Sequence, residues 1–152
     1  MSVTVPPKGT RGVLFPRFIT RLTSGLTAGM FRRRENKTGG GIHTLLLETR
    51  GAKSGKIRHA ILGYLEEGPM AWLVVASLAG ASRHPGWLYN LAKDPRATIE
   101  FFGGRRVEVL AETLHGADRD AAWKRLEDEA PEYPKYLSKT DRDIPIVRLR
   151  QA

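Results

Sequence analysis

The chain has 152 residues, of which 41% are hydrophobic and none is cysteine, and its formal net charge is +9. This length fits one domain that buries its own core, and the lack of cysteine excludes disulfides, thiolate metal sites and cysteine nucleophiles. No run approaches the ~20 apolar residues of a transmembrane helix and no signal peptide is evident, so we expect a cytoplasmic protein.

The first 41 residues carry most of the net charge, with +7 of the +9 over residues 1–38. Residues 1–12 include two prolines and two glycines and are expected to form a mobile tail. An amphipathic helix is predicted from residue 13, because apolar side chains recur at a 3.6-residue period. They are Phe15, Phe18, Ile19, Leu22, Leu26 and Met30. Three glycines at 39–41 form a linker to a domain spanning residues 42–152.

This basic helix has more than one interpretation. It could lie on an anionic membrane surface at the inner face of the membrane, with its arginines near the headgroups. It could equally pack on the domain or on a second subunit, as most amphipathic helices do. Nucleic acid is not an expected partner, because no DNA- or RNA-binding motif accompanies the charge. We expect a monomer or a homodimer.

Residues 43–49, 57–66 and 70–77 are predicted to be three strands of an antiparallel meander, since their connections are too short for a crossover helix. The first connection lies in the basic turn, which we define as residues 49–58. It carries Arg50, Lys53, Lys56 and Arg58, a serine, two glycines and no acidic residue. Such a turn could be an anion-binding cradle or simply a solvated hairpin turn.

A loop of small residues after the third strand leads to a helix that begins near Pro85 and ends before Asp94 and Pro95. A planar ring could approach the backbone of this loop closely. We expect Trp87 and Leu91 to lie in the core, and His84 to be a helix-start or surface residue rather than a catalytic base.

The remaining elements complete a β-rich domain. Residues 97–102 and 105–113 are predicted to form a hairpin with Gly103-Gly104 as a two-residue turn. Residues 117–130 are predicted to be a helix with Trp123 and Leu126 as its apolar seam, and a short helix follows with Tyr133 and Tyr136 one turn apart. Residues 144–150 form the last predicted strand.

Several familiar sites are excluded by spacing. The basic turn has three residues where a P-loop needs four, and no Gly-x-Gly-x-x-Gly opens a helix after a strand. The four histidines lack metal-ligand spacing, so no metal is expected, and no serine lies in a Gly-x-Ser-x-Gly elbow. A β-rich domain with an anion cradle and a close-approach loop suits a planar, acidic cofactor.

From about residue 45 to 149 the chain resembles the deazaflavin-dependent nitroreductase family. The matching motifs are Thr-Arg-Gly-Ala-Lys-Ser-Gly-Lys-Ile-Arg at 49–58, Val-Ala-Ser at 75–77, Arg-His-Pro-Gly-Trp-Leu-Tyr-Asn at 83–90, Asp-Pro at 94–95 and Ile-Pro-Ile-Val at 144–147. The family's proteins are small split β-barrels that use coenzyme F420, an 8-hydroxy-5-deazaflavin with a phosphodiester and a polyglutamate tail. The resemblance implies an α+β, mainly β fold of about six mostly antiparallel strands with peripheral helices.

The resemblance also implies roles for individual residues. The phosphate and acidic tail would be held by Lys53, Ser54, Lys56 and Arg58. The deazaflavin ring would be contacted by Val75, Ala76, Ser77, Gly80, Ala81, Arg83, His84, Pro85 and Trp87. The substrate site would be lined by Tyr64, Ser77, Tyr133 and Tyr136, which are also candidates to donate a hydrogen bond to the acceptor oxygen.

The expected function is therefore hydride transfer from reduced F420 to an electron-poor, lipophilic acceptor such as a quinone, an enone or a nitro compound. Two alternatives stay open, an FMN-dependent oxidoreductase on the same barrel and a non-catalytic basic module that binds membranes or nucleic acid. The chain departs from the family where Leu78-Ala79 replaces the common Lys-Gly and where His59 replaces a small or β-branched residue.

Overall fold

The computed structural model describes residues 2–13, 24–33 and 42–152. Within these ranges the helices are α1 (Ser24–Arg33), α2 (Gly86–Lys93), α3 (Gly116–Glu129) and α4 (Glu132–Leu137), with a 3-10 turn at Leu78–Gly80. The strands are β1 (Thr44–Arg50), β2 (Ile57–Gly63), β3 (Leu65–Glu66), β4 (Ala71–Val75), β5 (Arg96–Phe101), β6 (Arg106–Thr113) and β7 (Ile146–Gln151). The predicted α+β, mainly β class and the antiparallel pairing are confirmed.

The seven described strands form one antiparallel sheet in the order β2-β1-β5-β6-β7-β4-β3. Strands β2 and β3 lie at opposite edges of this order, yet Tyr64 alone separates them in the chain. Strand β2 also contacts β4. The two edges therefore approach each other, and the sheet curls into a split barrel.

Two details of the predicted strands are wrong. The expected strand 57–66 is divided at Tyr64 into β2, which pairs with β1, and β3, which pairs with β4, so the expected meander is interrupted at Tyr64. The turn between β5 and β6 has three residues rather than two, since Phe101 N–H donates to Arg105 O at 2.8 Å. Both glycines of this turn have φ near +100°, which explains their presence.

Successive side chains of a strand point to opposite faces of the sheet, so the buried residues form one layer inside the barrel and another on its outer face. Leu45 and Leu47 of β1 point into the barrel, where α2 fills the interior with Trp87, Leu88 and Leu91. On β4 the odd-numbered Leu73 and Val75 face outward and pack under α3. The predicted core positions Trp87 and Leu91 are confirmed, at 7% and 0% exposure.

Helix α1 packs on the outside of the barrel. Its buried side chains are Ala28 and Phe31, which lie against Leu46 of β1 and Ile61 of β2. Arg32 adds two hydrogen bonds to the carboxylate of Glu100. Leu26 and Met30 of the predicted apolar face are 67% and 54% exposed, so this part of the face does not pack on the described part of the domain. Phe15, Phe18, Ile19, Leu22 and the glycine linker lie outside the described residues.

The N-terminal segment, which we define as residues 2–13, is not the mobile tail that its prolines and glycines suggested. Val3 is buried in the barrel core, and Ser2 O accepts a hydrogen bond from Thr113 N–H. Val13 forms a single parallel bridge with Ala81. Prolines and glycines give no apolar periodicity, so the sequence could not show that backbone groups here pair with distant loops. The division of the chain at residue 41 stays a prediction.

Among the described residues, no helix has the length and apolar character needed to cross a membrane.

Candidate functional site

The basic turn is the hairpin between β1 and β2, and its backbone is tightly closed. Gly51 N–H donates to Lys56 O at 2.7 Å, and Gly55 N–H donates to Gly51 O at 2.9 Å. A Cβ on Gly51 would lie 2.8 Å from Ser54 Oγ and 3.2 Å from Lys56 O, so the turn has no room for a side chain there. Gly55 adopts φ +71°, which favours glycine.

The residues predicted to bind the anion are all exposed to solvent. The side chains of Lys53, Ser54, Lys56 and Arg58 are exposed around the closed turn. Lysine and arginine in this arrangement can form charge-assisted hydrogen bonds with phosphate or carboxylate oxygens. The donor set therefore fits the phosphodiester and carboxylates of F420 and offers no acidic side chain to repel them.

Helix α2 fixes the basic turn from one side. Asn90 is buried, and its Oδ1 accepts from Ala52 N–H at 2.9 Å while its Nδ2 donates to Thr49 Oγ1 at 3.0 Å. Lys93 Nζ donates to Ala52 O at 2.6 Å. Sequence analysis did not identify Asn90 as a site residue. The sequence feature that could have identified Asn90 is its position three residues after Trp87, which places a polar amide on the apolar face of the helix.

At the end of β4 the chain enters the 77–84 loop, which we define by those residues. Val75, Ala76, Ser77, Gly80 and Ala81, which the resemblance places along the ring, are buried. Val75 packs outside the barrel and Ala76 inside it, so these two side chains lie on opposite faces of the sheet. A planar ligand would therefore meet the edge of the strand and the backbone of the loop rather than one continuous row of side chains.

The loop contains a strained turn. Leu78 and Ala79 have φ of 40° and 52°, in a region that costs a residue with a side chain roughly 1–2 kcal/mol. Gly80 follows at φ +81°, and a Cβ there would lie 2.9 Å from Lys139 Cβ and 3.2 Å from Tyr136 O. The Lys-Gly pair that Leu78-Ala79 replaces would put glycine at the second strained position.

Arg142 is a buried residue beside the 77–84 loop that was not predicted from the sequence. Its guanidinium is buried and donates to Ala81 O at 2.7 Å, to Ser77 O at 2.6 Å and to Asp143 O at 3.4 Å. Burial lowers the pKa of Arg142 to about 10, so it stays charged at neutral pH. The sequence carried no local signal, because an arginine between two aspartates ordinarily predicts a solvated turn.

His84 joins this cluster and is not the surface residue that one interpretation expected. It is 2% exposed, and its Nε2 lies 2.8 Å from Pro6 O while its Nδ1 lies 3.2 Å from Arg142 Nη1. These partners assign the proton to Nε2, since Nδ1 must accept from the guanidinium. Burial and, secondarily, Arg142 lower the pKa of His84. Both nitrogens of this neutral imidazole are engaged by Pro6 and Arg142, and the role of His84 beside the ring stays a prediction.

The other predicted ring residues have mixed surroundings. Pro85 is buried at the start of α2, and Trp87 packs in the barrel core. Arg83 is half-buried and has interactions of its own. Helix α2 is about 12 Å long at 1.5 Å per residue. The 77–84 loop precedes its first residue, and the basic turn is hydrogen-bonded to Asn90 and Lys93 in its last turn. The 77–84 loop and the basic turn therefore lie near opposite ends of α2.

The four residues proposed to line the substrate site fall into two places. Tyr133 and Tyr136 pack edge to face with ring centroids 6.0 Å apart, in the same cluster as Val75. Tyr64 packs edge to face on Phe101 at 5.4 Å, beside the barrel core. A Cβ on Gly63 would overlap the Tyr133 hydroxyl, and the next side chain along a strand points to the other face. The structure therefore separates Tyr64 from Tyr133 and Tyr136.

Burial keeps Tyr64 and Tyr133 protonated. It raises the pKa of Tyr133 to about 12, opposed by a hydrogen bond from the Gly63 backbone, and it also raises the pKa of Tyr64. Ser77 is 8% exposed at the end of β4. Within residues 2–13, 24–33 and 42–152, no group of three histidine or carboxylate side chains is placed to bind a metal ion.

Comparison with known proteins identifies the family. The F420H(2)-dependent quinone reductase family matches residues 25–151. An F420H(2)-dependent quinone reductase of Mycobacterium tuberculosis is 37% identical over 134 residues, covering 86% of this chain and 89% of the relative. A second quinone reductase of that species is 36% identical over 109 residues, covering 72% and 90%.

Solved structures agree with the sequence match. An F420-H2 dependent reductase, FDR-A, has 34% identity and a TM-score of 0.63, covering 70% of this chain and 93% of its own. A protein described as a domain-swapped dimer has 31% identity and a TM-score of 0.63, covering 83% and 95%. HutZ of Vibrio cholerae, at 15% identity and a TM-score of 0.55 over 82% of this chain and 87% of its own, shares the fold. This chain belongs to the F420H(2)-dependent quinone reductase family.

Proposed function

We propose that this protein is an F420-dependent reductase in which the basic turn binds the acidic tail of the coenzyme and the 77–84 loop supports its ring. The observation that carries the proposal is the exposed set of cations on a turn whose backbone is fixed by Asn90. Preorganised donors bind an anion without a large ordering cost. When bound, reduced F420 supplies the hydride for a quinone-type acceptor.

The protein contributes binding, orientation and a hydrogen-bond donor. Lys53, Lys56 and Arg58 would neutralise the phosphate and carboxylate oxygens, with Ser54 as a neutral donor. The buried ends of β4 and α2 exclude water from one side of the ring position. Among the candidate donors we favour Tyr133. Its hydroxyl lies beside Gly63, and burial raises its pKa to about 12, so it keeps a proton to donate to an acceptor oxygen that gains charge.

Membership of the family limits the choice of electron acceptor. Sequence analysis allowed quinones, enones and nitro compounds, and the family name favours quinones. F420 is favoured over FMN for the same reason. A non-catalytic basic module would not need the fixed turn and the strained loop on either side of α2.

Coenzyme binding tests the proposal. Titration of the purified protein with F420, followed by the fluorescence of the deazaflavin, should give binding at micromolar concentrations or below. The Lys53→Ala/Arg58→Ala variant should bind about tenfold more weakly, because it loses two charge-assisted contacts that at exposed positions are worth about 0.7 kcal/mol each.

A matched control removes the same charge elsewhere. The Lys124→Ala/Arg150→Ala variant changes two exposed residues far along the chain from the basic turn and should bind F420 like the wild type. Equal binding by the Lys53→Ala/Arg58→Ala variant, or no binding by the wild type, would contradict the proposal.

Two further proposals concern the partners of the protein, an anionic membrane surface and a second copy of the chain. Leu26 and Met30 are exposed on α1, and Arg32 and Arg33 lie in its last turn, which supports contact with an anionic membrane surface. Sedimentation with anionic vesicles should then fall for a Leu26→Ser/Met30→Ser variant, and equal sedimentation of the two proteins would exclude this contact. A homodimer is a separate proposal, for which the domain-swapped relative is the support.

A further inference from the structure

Arg142 connects parts of the chain that no local pattern relates. It lies between α4 and β7, more than fifty residues after the 77–84 loop. Its Nη2 and Nε bind the carbonyl oxygens of Ser77 and Ala81, which are the two ends of the strained turn. Its Nη1 approaches Nδ1 of His84, at the far end of the loop. One planar guanidinium thus fixes the start, the middle and the end of the loop.

The turn between these contacts needs such support. Leu78 and Ala79 both have positive φ, and neither is glycine. A strained backbone of this kind persists only when its surroundings define it completely. The hydrogen bonds inside the turn are Gly80 N–H to Ser77 O at 2.9 Å and Ala81 N–H to Leu78 O at 3.0 Å. Arg142 donates to the same Ser77 oxygen as Gly80 N–H, and it also donates to Ala81 O.

The N-terminal segment covers the same loop from the other side. Gly9 N–H donates to Ser82 O at 2.8 Å, and Val13 N–H donates to Gly80 O at 3.0 Å. The segment is itself held beside Arg142, because Thr140 Oγ1 donates to Arg11 O at 2.7 Å and Asp141 accepts from Arg11 N–H at 2.9 Å. Residues 140–142 therefore bind both the loop and the segment that lies over it.

We propose that Arg142 is a positioning residue for the deazaflavin ring, which holds the 77–84 loop in its strained shape with the N-terminal segment as an outer support. This inference rests on the proposed placement of the ring at residues 75–81. It predicts that Arg142 affects ring binding without contacting the acidic tail, whereas Lys53 and Arg58 affect tail binding alone.

Two ligands separate these effects, the complete coenzyme and a tail-less 8-hydroxy-5-deazaflavin. Arg142→Met should raise the Kd of both ligands by the same factor, about tenfold or more, since three acceptors lose a charged donor. Lys53→Ala/Arg58→Ala should raise the Kd of the complete coenzyme only. Equal affinity of Arg142→Met and wild type for both ligands would overturn the inference.

A matched arginine distinguishes positioning from general stability. Arg148 of β7 is also largely buried, and it binds the carboxylates of Glu67 and Glu112. Glu67 precedes β4, whereas the 77–84 loop follows it. Arg148→Met should lower the melting temperature yet leave both Kd values within about twofold of the wild type, a difference below about 0.4 kcal/mol. A comparable loss of ring affinity in Arg148→Met would show that Arg142 has no special role.

Two further measurements keep the inference testable if Arg142→Met does not fold. Arg142→Lys retains the charge but cannot reach three separate acceptors with one ammonium group, so it should also weaken both ligands. In the wild type, the tail-less ligand should slow hydrogen exchange at the amides of Gly9, Val13, Gly80 and Ala81. Unchanged exchange at these amides would overturn the inference. Failure of the wild type to bind either ligand would instead remove the proposed function.

Discussion

The basic turn and the 77–84 loop both follow strands of the barrel, but the protein fixes them in opposite ways. The basic turn displays its side chains to solvent, and its backbone is held by its own hairpin bonds and by nearby α2. The loop buries half of its residues and exposes none of the others fully, and it is held by Arg142 and by the N-terminal segment, from distant parts of the chain.

This difference indicates two kinds of recognition. Exposed cations on a fixed turn select for charge, so their contribution should weaken with added salt. A buried loop with strained backbone selects for shape, and its contribution should not depend on salt. The two sites would therefore recognise the two chemically different ends of one coenzyme.

The largest effect that sharpens this comparison is expected from Asn90. Asn90→Ala removes the acceptor of Ala52 N–H and the donor to Thr49 Oγ1 in a buried position, and it should lower the free energy of unfolding by about 2 kcal/mol. Chemical denaturation gives that value. Because the basic turn loses its anchor, the affinity for the complete coenzyme should fall while the affinity for the tail-less ligand is retained. Equal loss for both ligands would mean that α2, rather than the turn, is disturbed.

The same comparison explains what the sequence could predict. The bounds of α2, the hairpin at 49–58 and the paired tyrosines of α4 depend on patterns within about ten residues, and they were predicted correctly. The strand order could not be predicted, because the break at Tyr64 moves β3 to the other edge of the sheet. Arg142 and the N-terminal segment were missed because their partners lie far away in sequence and involve backbone oxygens of no particular residue type.

Ala79→Gly should give a smaller effect of the opposite sign. Ala79 adopts φ 52°, so glycine relieves strain in the folded state, although it also adds freedom to the unfolded chain. We expect a net stabilisation of about 0.5–1 kcal/mol, measured by the same denaturation experiment. A control substitution, Ala92→Gly in the exposed last turn of α2, should destabilise by a similar amount. If Ala79→Gly also destabilises, the turn is not strained at this residue.

The smallest expected effect is a pH dependence confined to the loop. The folded-state pKa of His84 is lowered, so the unfolded chain binds more protons than the folded one just below the ordinary value of about 6.5. Stability contributed by neutral His84 is therefore present above pH 6.5 and declines as the pH falls below it. Asp143 opposes this shift, whereas burial and Arg142 dominate it.

Asp141 acts in a separate and lower window. Its hydrogen bonds from the N-terminal segment lower its pKa to about 2, so its contribution is lost as the pH falls from about 4 toward 2. Between pH 5 and 7 the free energy of unfolding, plotted against pH, should consequently have a shallower slope for His84→Gln than for the wild type. Asp141→Asn should keep the wild-type slope in this range. A wild-type slope in His84→Gln would mean that the pKa of His84 is the same in the folded and unfolded states, contrary to a buried imidazole that faces Arg142.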